Sequence, residues 1–348
     1  MALLRRRTTL LALPGLALAG HVGPVRAQGG RMQAATQLGW LRNGEFAPLM
    51  VAEAKGYFAE AGIDHRIVDG GPGKNPVPTV AVGQAQFGLA TSGLHLIAAR
   101  TARDPVDVVA VGALYQTAPS AYLTLRAPSD PDPVPKDMEG KTVGVQAGSE
   151  YFIRAIARKN GADEAKIRIV TVQANAEPLM VGRVDFFSGW ITNQAYQIEV
   201  EAAKPDAPPA LKGKTWKALR FADWGLPAYS DVVFTTRKVT EENPELVRAY
   251  LRAVSKGMRF ILDHPQEAVE IVARFPGQIE DAGKLAWRWR VQNPLFVSPD
   301  TERNGLLWMS PQTWDQMAGF LHEAKEVPRL VAASEMMDGR FFPGTGAA

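Results

Sequence analysis

The side chains able to recognise a small molecule recur in one kind of place, the stretch that follows a strand-like run. They are Trp40, Asn43 and Phe46; Gly71 and Gly73; Ser92 and Gly93; Tyr115 and Gln116; Ser149 and Glu150; Trp190, Thr192 and Asn193; and Asp223, Trp224, Tyr229 and Asp231. Open α/β sheets bind ligands at the carboxyl ends of their strands, so rings, amides, hydroxyls and carboxylates gathered there suit a small, flat, hydrogen-bonding ligand. Plainer roles exist for several of them. Ser92 fits a helix N-cap, and Glu45 and Glu150 satisfy helix-start electrostatics. A lone Trp often caps a sheet, but Trp40 has Asn43 and Phe46 beside it. The three glycines of Gly70-Gly71-Pro72-Gly73 permit a backbone that approaches a ligand closely.

Reactive constellations are absent from the sequence. His21, His65, His95, His264 and His322 are scattered, and there is no cysteine, so neither a metal cluster nor a thiolate nucleophile is expected. Residue 90 is Ala, which rules out a nucleophile elbow around Ser92, and no dinucleotide fingerprint follows the first strand. A phosphate loop fails because Asn75 follows Lys74 where Ser or Thr is required. The expected protein therefore binds without a metal, a cofactor or a catalytic residue. An anionic ligand would call for basic side chains, and Arg42 and Lys74 are the basic candidates in these loops. The carboxylates Glu45, Glu150, Asp223 and Asp231 suit a ring amine or amidine, which points to a heteroaromatic ligand.

The elements that must position these residues alternate strand and helix. Strands are expected near 36–40, 63–69, 86–90 and 106–114. A helix is expected from Glu45 to Ala61, with Phe46, Met50, Ala54, Tyr57, Phe58 and Ala61 on one side and Gly62 as its stop. The Pro-rich run from Pro128 to Pro135 marks a boundary. Further strands fall near 141–146, 167–172, 184–190 and 218–221, and Val232–Thr236 returns to the first group. The class is α/β with two lobes: residues 28–124 and 230–348 form the first and 125–229 the second, with two crossings acting as a hinge. Pro244 opens a helix carrying Leu246, Tyr250, Val254, Met258 and Ile261 on one face. Trp287, Trp289, Trp308 and Trp314 are expected mostly as core of the first lobe.

Composition sets the setting. With 348 residues, 46% hydrophobic and 22% charged, the chain can build two cores. Residues 1–27 differ: Arg5-Arg6-Arg7 precede an apolar run, and Val25-Arg26-Ala27 offers small residues at the cleavage positions, the pattern of an export signal of twin-arginine-like or Sec type. Removing its four arginines leaves 35 basic against 36 acidic side chains, so nucleic acid is not an expected partner. With no cysteine there is no lipid attachment point, and a freely diffusing periplasmic protein is expected.

Trp40, Asn43 and the run Lys55-Gly56-Tyr57-Phe58, followed by Val82 to Ala90, resemble the opening of the substrate-binding proteins of ABC importers in the nitrate, sulfonate, taurine and thiamine-precursor superfamily. Gly189 to Gln194 is similar to that family's second-lobe ligand loop, and Asn293 to Ser298 resembles a segment that approaches its cleft. The resemblance implies a type II periplasmic-binding fold, ligand capture by lobe closure, a monomer, and permease and ATPase subunits as partners. The expected ligand is a thiamine pyrimidine precursor or a flavin-like compound; a sulfonate, taurine or nitrate is the alternative. A pyridoxal-phosphate-dependent pyrimidine synthase resembles the same proteins and works on a lysine. The export signal and the lack of cysteine stand against it, because the synthases carry a cysteine-rich segment.

Overall fold

The computed structural model describes residues 30–344, and the expected export signal at residues 1–27 lies outside them. Ten strands form two five-stranded sheets. The first runs β2-β1-β3-β10-β4, built from β1 (Met32–Leu38), β2 (Ile63–Val68), β3 (Phe87–Ala90), β4 (Val108–Tyr115) and β10 (Ser230–Thr236). The second runs β7-β6-β8-β5-β9, from β5 (Ser120–Arg126), β6 (Thr142–Val145), β7 (Arg168–Thr171), β8 (Phe186–Trp190) and β9 (Thr215–Arg220).

Each sheet contains one strand antiparallel to both neighbours, β10 in the first and β5 in the second. The reason is topological. The chain leaves β4 at the cleft and enters the second sheet there as β5, then leaves β9 and re-enters the first sheet as β10. A strand entering from the cleft must run against strands that end at it. The crossings are thus residues 116–119 and 221–229, and the Ala118 N–H donates to the Ala228 carbonyl at 2.8 Å, joining the two segments. The first crossing precedes the expected boundary at residues 124 and 125. The Pro-rich run ends β5 and does not separate the lobes.

The stretch expected as one helix from Glu45 to Ala61 is broken. A single turn at Gly44–Phe46 leads into α1 (Ala47–Ala54), Gly56 takes a left-handed φ of 76°, and a further turn spans Tyr57–Glu60. Only glycine adopts that backbone without strain. The break sets Phe58 flat on His65, with ring centroids 3.9 Å apart; of Lys55-Gly56-Tyr57-Phe58 only Phe58 enters the core, and none of the four lines the cleft.

Three helices matter for the cleft: α2 (Gly93–Thr101), α3 (Glu150–Lys159) and α4 (Gln194–Ala202). The helical C-terminal third packs on the first sheet through α5 (Pro244–Asp263), α6 (Ala282–Phe296) and α7 (Pro311–Glu323). On α5 the expected face of Leu246, Tyr250, Val254, Met258 and Ile261 is buried, each such side chain contributing about 1.5–3 kcal/mol. A Cβ on Gly257 would lie 2.2 Å from the Pro48 carbonyl oxygen, so a side chain there would force α5 away from α1. Trp289 and Trp314 are core. Trp287 instead bridges the lobes: its indole N–H donates to Glu199 on α4 at 2.8 Å, and Trp216 of β9 donates to the same carboxylate at 2.8 Å.

Candidate functional site

A cavity of about 660 Å³ opens between the two sheets, within the range of about 300–1,000 Å³ usual for small-molecule sites. The first lobe supplies Trp40, Asn43 and Glu45 from the loop after β1, Thr91 and Ser92 after β3, and Leu94 and His95 from the first turn of α2. The second supplies Gln146 and Ser149 after β6, Tyr151 and Phe152 on α3, Ser188 and Trp190 on β8, and Asn193, Gln194 and Gln197 around the start of α4. Ser120, Phe221 and Leu226 complete the floor near the crossings.

Local hydrogen bonds fix these side chains. Asn43 Oδ1 accepts from the Glu45 N–H at 2.9 Å, and Ser92 Oγ caps α2 by accepting from the Leu94 N–H at 3.2 Å. Gln194 Oε1 accepts from the Trp190 N–H and its Nε2 donates to the Ala174 carbonyl, both at 2.8 Å, which pins Trp190 at the mouth of its strand. Gln146 Nε2 donates to the Ser188 carbonyl at 3.1 Å. His95 is exposed to the cavity at the first turn of α2, with its Nδ1 3.5 Å from the Thr91 hydroxyl. Among the described residues lining the cavity, Glu45 carries the only carboxyl, and no arginine or lysine is present.

Beneath Glu45 lies a cluster of buried ionisable groups. Arg288 on α6 is 1% exposed and donates through Nε and Nη2 to Glu280 at 2.9 and 2.5 Å; Lys284 Nζ reaches the same carboxylate at 2.8 Å. Although burial pushes Glu280 up, these two cations hold it below the usual carboxylate range. The Gly44 N–H also donates to Glu280, and a Cβ at Gly44 would lie 2.6–2.9 Å from Leu285, Arg288 and Glu280. The Glu45 turn can therefore sit against α6 only because residue 44 is glycine. Asp231 is fully buried at the entry of β10 with a φ of 47°, a left-handed conformation that aspartate tolerates better than most residues. Both its oxygens, Glu45 Oε1 and the Tyr115 hydroxyl lack partners within the chain. Burial raises the carboxyl pKa of Glu45, and that of Asp231 strongly, the neighbouring Glu45 adding to the rise in Asp231.

The structure brings Trp40, Asn43, Ser92, Ser149, Trp190 and Asn193 together on the cavity wall. The other expected residues lie elsewhere. Phe46 is core. Gly71 and Gly73 stand off the cavity; the close approach in that turn is made by Gly70, whose added Cβ would meet the Leu38 and Trp40 carbonyl oxygens at 2.4 and 2.5 Å. The glycine turn supports the Trp40 loop and leaves the ligand to others. The Gly93 N–H is taken by the Tyr229 carbonyl, and the Tyr229 hydroxyl accepts from the Ser310 N–H. Gln116 is committed to the Ala113 and Trp308 carbonyls and to Ser298. Thr192 is buried, Glu150 and Asp223 lie outside the lining, and the Trp224 carbonyl accepts from Asn160. Tyr115 and Asp231 sit below the cavity floor in the ionisable cluster.

Sequence reasoning passed over Ser120, Gln146, Ser188 and Gln197, and named Gln194 only as the end of the Gly189–Gln194 loop. Asn193, Gln194 and Gln197 share one helical face, a spacing visible in the sequence. Ser120 was hidden for a topological reason: β5 runs backwards, so its first residue and not its last meets the cleft.

Two α/β lobes joined by two crossings, with a walled cavity between them, define a clamp-type binding-protein fold. Residues 43–268 match the family described as NMT1/THI5 like, and the chain belongs to that family. It is 26% identical over 348 residues to the riboflavin-binding protein RibY of Chloroflexus aurantiacus, covering 97% of this chain and 92% of that one. It is 26% identical over 295 residues to the formylaminopyrimidine-binding protein of Halalkalibacterium halodurans, covering 80% and 84%. A 4-amino-5-hydroxymethyl-2-methylpyrimidine phosphate synthase of Legionella pneumophila is 22% identical over 88% of this chain and 92% of that one. Among solved structures, the periplasmic aliphatic sulphonate-binding protein SsuA of Escherichia coli superposes with a TM-score of 0.63 at 16% identity, covering 88% and 92%, and so shares the fold.

Proposed function

We propose that this protein is the periplasmic solute-binding component of an ABC importer, and that it captures an uncharged nitrogen heteroaromatic, a pyrimidine precursor of thiamine or a flavin-like compound. The observation that carries this is the chemistry of the lining. Trp40, Tyr151, Phe152, Trp190 and Phe221 offer ring faces, amides and hydroxyls surround them, and the one charged group is a carboxyl. Each good stack adds about 0.5–1.5 kcal/mol beyond burial. A sulfonate, taurine or nitrate would enter a wall without arginine or lysine and with Glu45 facing it, and an anion gains most from charged donors. The ligands in the names of the riboflavin-binding and formylaminopyrimidine-binding relatives support the same class. The loaded protein would dock as a monomer on its permease and ATPase.

Kinship with pyrimidine phosphate synthases favours an enzyme as the second possibility. Chemistry on a lysine-bound pyridoxal phosphate needs a lysine in the cleft, and none is among the described lining residues. Native mass spectrometry of the exported protein, purified without unfolding, tests the proposal. A mass excess matching a pyrimidine or flavin and lost on denaturation supports it. Tight binding of taurine or nitrate with no response to either heterocycle overturns the ligand class, and a pyridoxal phosphate adduct that survives denaturation overturns the transport role.

A further inference from the structure

The floor of the first lobe presents more hydrogen-bond acceptors than the chain can satisfy. Glu45 and Asp231 bring four carboxyl oxygens together. Three of them, Glu45 Oε1 and both oxygens of Asp231, are buried and take no N–H from the chain; the two carboxyls lie against each other and can bond only by sharing a proton. The surrounding groups are accounted for on every side. Arg288 and Lys284 from α6 are bound to Glu280, Lys284 also reaching Asn193 Oδ1 at 3.4 Å; Tyr115 from β4 offers one hydroxyl proton, the Asn43 side chain accepts from the Glu45 N–H and favours the ionised Glu45 carboxyl, and His95 from α2 is exposed to the cavity. Two cations face one committed carboxylate, so the cluster is neutral when the Glu45–Asp231 pair carries a single negative charge and one proton. Burial favours that state, because two adjacent buried carboxylates repel and neither is hydrated. Asp231, with no exposure at all, is the member that keeps the proton. Glu45, which lines the cavity and buries its Oε1, is left with its other oxygen as an acceptor at the cavity wall.

We propose that Glu45 selects the ligand by accepting an N–H from it, and that Asp231 is the positioning residue that holds Glu45 in place and supplies the shared proton. This rests on the heteroaromatic ligand class proposed above and names the group that class must carry: an amino or ring N–H donor on an uncharged heterocycle, as in an aminopyrimidine or in the N–H of an isoalloxazine. An anion is repelled by Glu45. A heterocycle whose donor position is alkylated fits the ring wall but leaves Glu45 unpaired, and a buried unpaired acceptor is costly.

The test is calorimetric titration of the full exported protein with riboflavin and with formylaminopyrimidine, each beside an analogue alkylated on the donor nitrogen, 3-methylriboflavin and the dimethylamino pyrimidine. The wild type should bind whichever parent it accepts at least about tenfold more tightly than the alkylated analogue. Glu45→Leu, which removes the acceptor and keeps much of the side-chain volume, should lose most of that preference. Asp231→Asn supplies a readout that a purely structural role would not move. Covering the pair with an uncharged ligand disfavours its second ionisation, so wild-type affinity should fall at alkaline pH while that of D231N stays level. Equal binding of parent and alkylated analogue by the wild type overturns the proposal, and requires no folded variant. So does a Glu45→Leu protein that folds and keeps the full preference. Binding of taurine with neither heterocycle overturns the ligand class as well, which separates the two failures.

Discussion

The two walls of the cleft are built from different chemistry. The first-lobe wall rests on a buried group of ionisable side chains, Glu45, Asp231, Tyr115, Glu280 and Arg288, contributed by residues far apart in the chain. The second-lobe wall contains no charged residue among those described: Gln146, Ser149, Ser188, Asn193, Gln194 and Gln197 are neutral and are held mainly by their own backbone. Buried charge must be balanced by its neighbours, and here Glu280 is balanced within the first lobe by Arg288 and Lys284. Neutral amides both donate and accept, so the opposite wall can meet the ligand without a fixed polarity.

The contrast can be broken most forcefully from the charged side. Arg288→Leu should cost about 3 kcal/mol of unfolding free energy, because it takes the two-bond guanidinium from buried Glu280 and leaves only Lys284 and the Gly44 N–H opposite it. Chemical denaturation measures it, and a loss under about 1 kcal/mol would mean the cluster is hydrated. On the neutral side, Gln194→Leu removes the acceptor for Trp190 and the donor for Ala174. The cost should be near 2 kcal/mol, smaller than that of R288L, with weakened ligand binding as Trp190 loosens.

Asp231→Asn should sharpen the comparison through pH. The raised pKa means the native state holds a proton that the unfolded chain releases near pH 4. The stability this brings is fully present below pH 4 and is lost as pH climbs toward the native value. The variant escapes that loss, and asparagine tolerates the left-handed backbone. Melting curves should coincide near pH 4 and separate in favour of D231N with every step upward. A constant gap from pH 4 to 9 would place Asp231 outside the titrating pair. The smallest effect belongs to Glu199→Ala, which removes the shared acceptor of Trp287 and Trp216. Because Glu199 is exposed, ligand affinity should drop by less than about 1 kcal/mol, with the melting temperature unchanged.

What the sequence disclosed follows the range of the forces involved. Strand positions, the α5 face and caps such as Ser92 depend on neighbours within a few residues, and they were legible. So was the set Trp40, Asn43, Ser92, Ser149, Trp190 and Asn193, because parallel strands deliver their last residues to one edge. Ser120 escaped because direction of travel through a sheet is a property of the whole topology. Gly71 and Gly73 misled for a related reason: glycine signals close approach without naming the partner, which here is the chain's own backbone beside Gly70. The ionisable cluster joins residues 45, 115, 231, 280 and 288, and no local pattern in the sequence links them.

The hydrogen bond from Ala118 to Ala228 has a mechanical result. Stitched together at mid-span, the two crossings resist twisting against each other more than separate tethers would, so the proposed closure would be confined mainly to one axis. A door hung in this way returns to the same frame at every closing. In the proposed closure the ring faces of the second wall would meet the carboxyl of the first in the same alignment at each capture, leaving little orientational freedom to be lost when a ligand is enclosed.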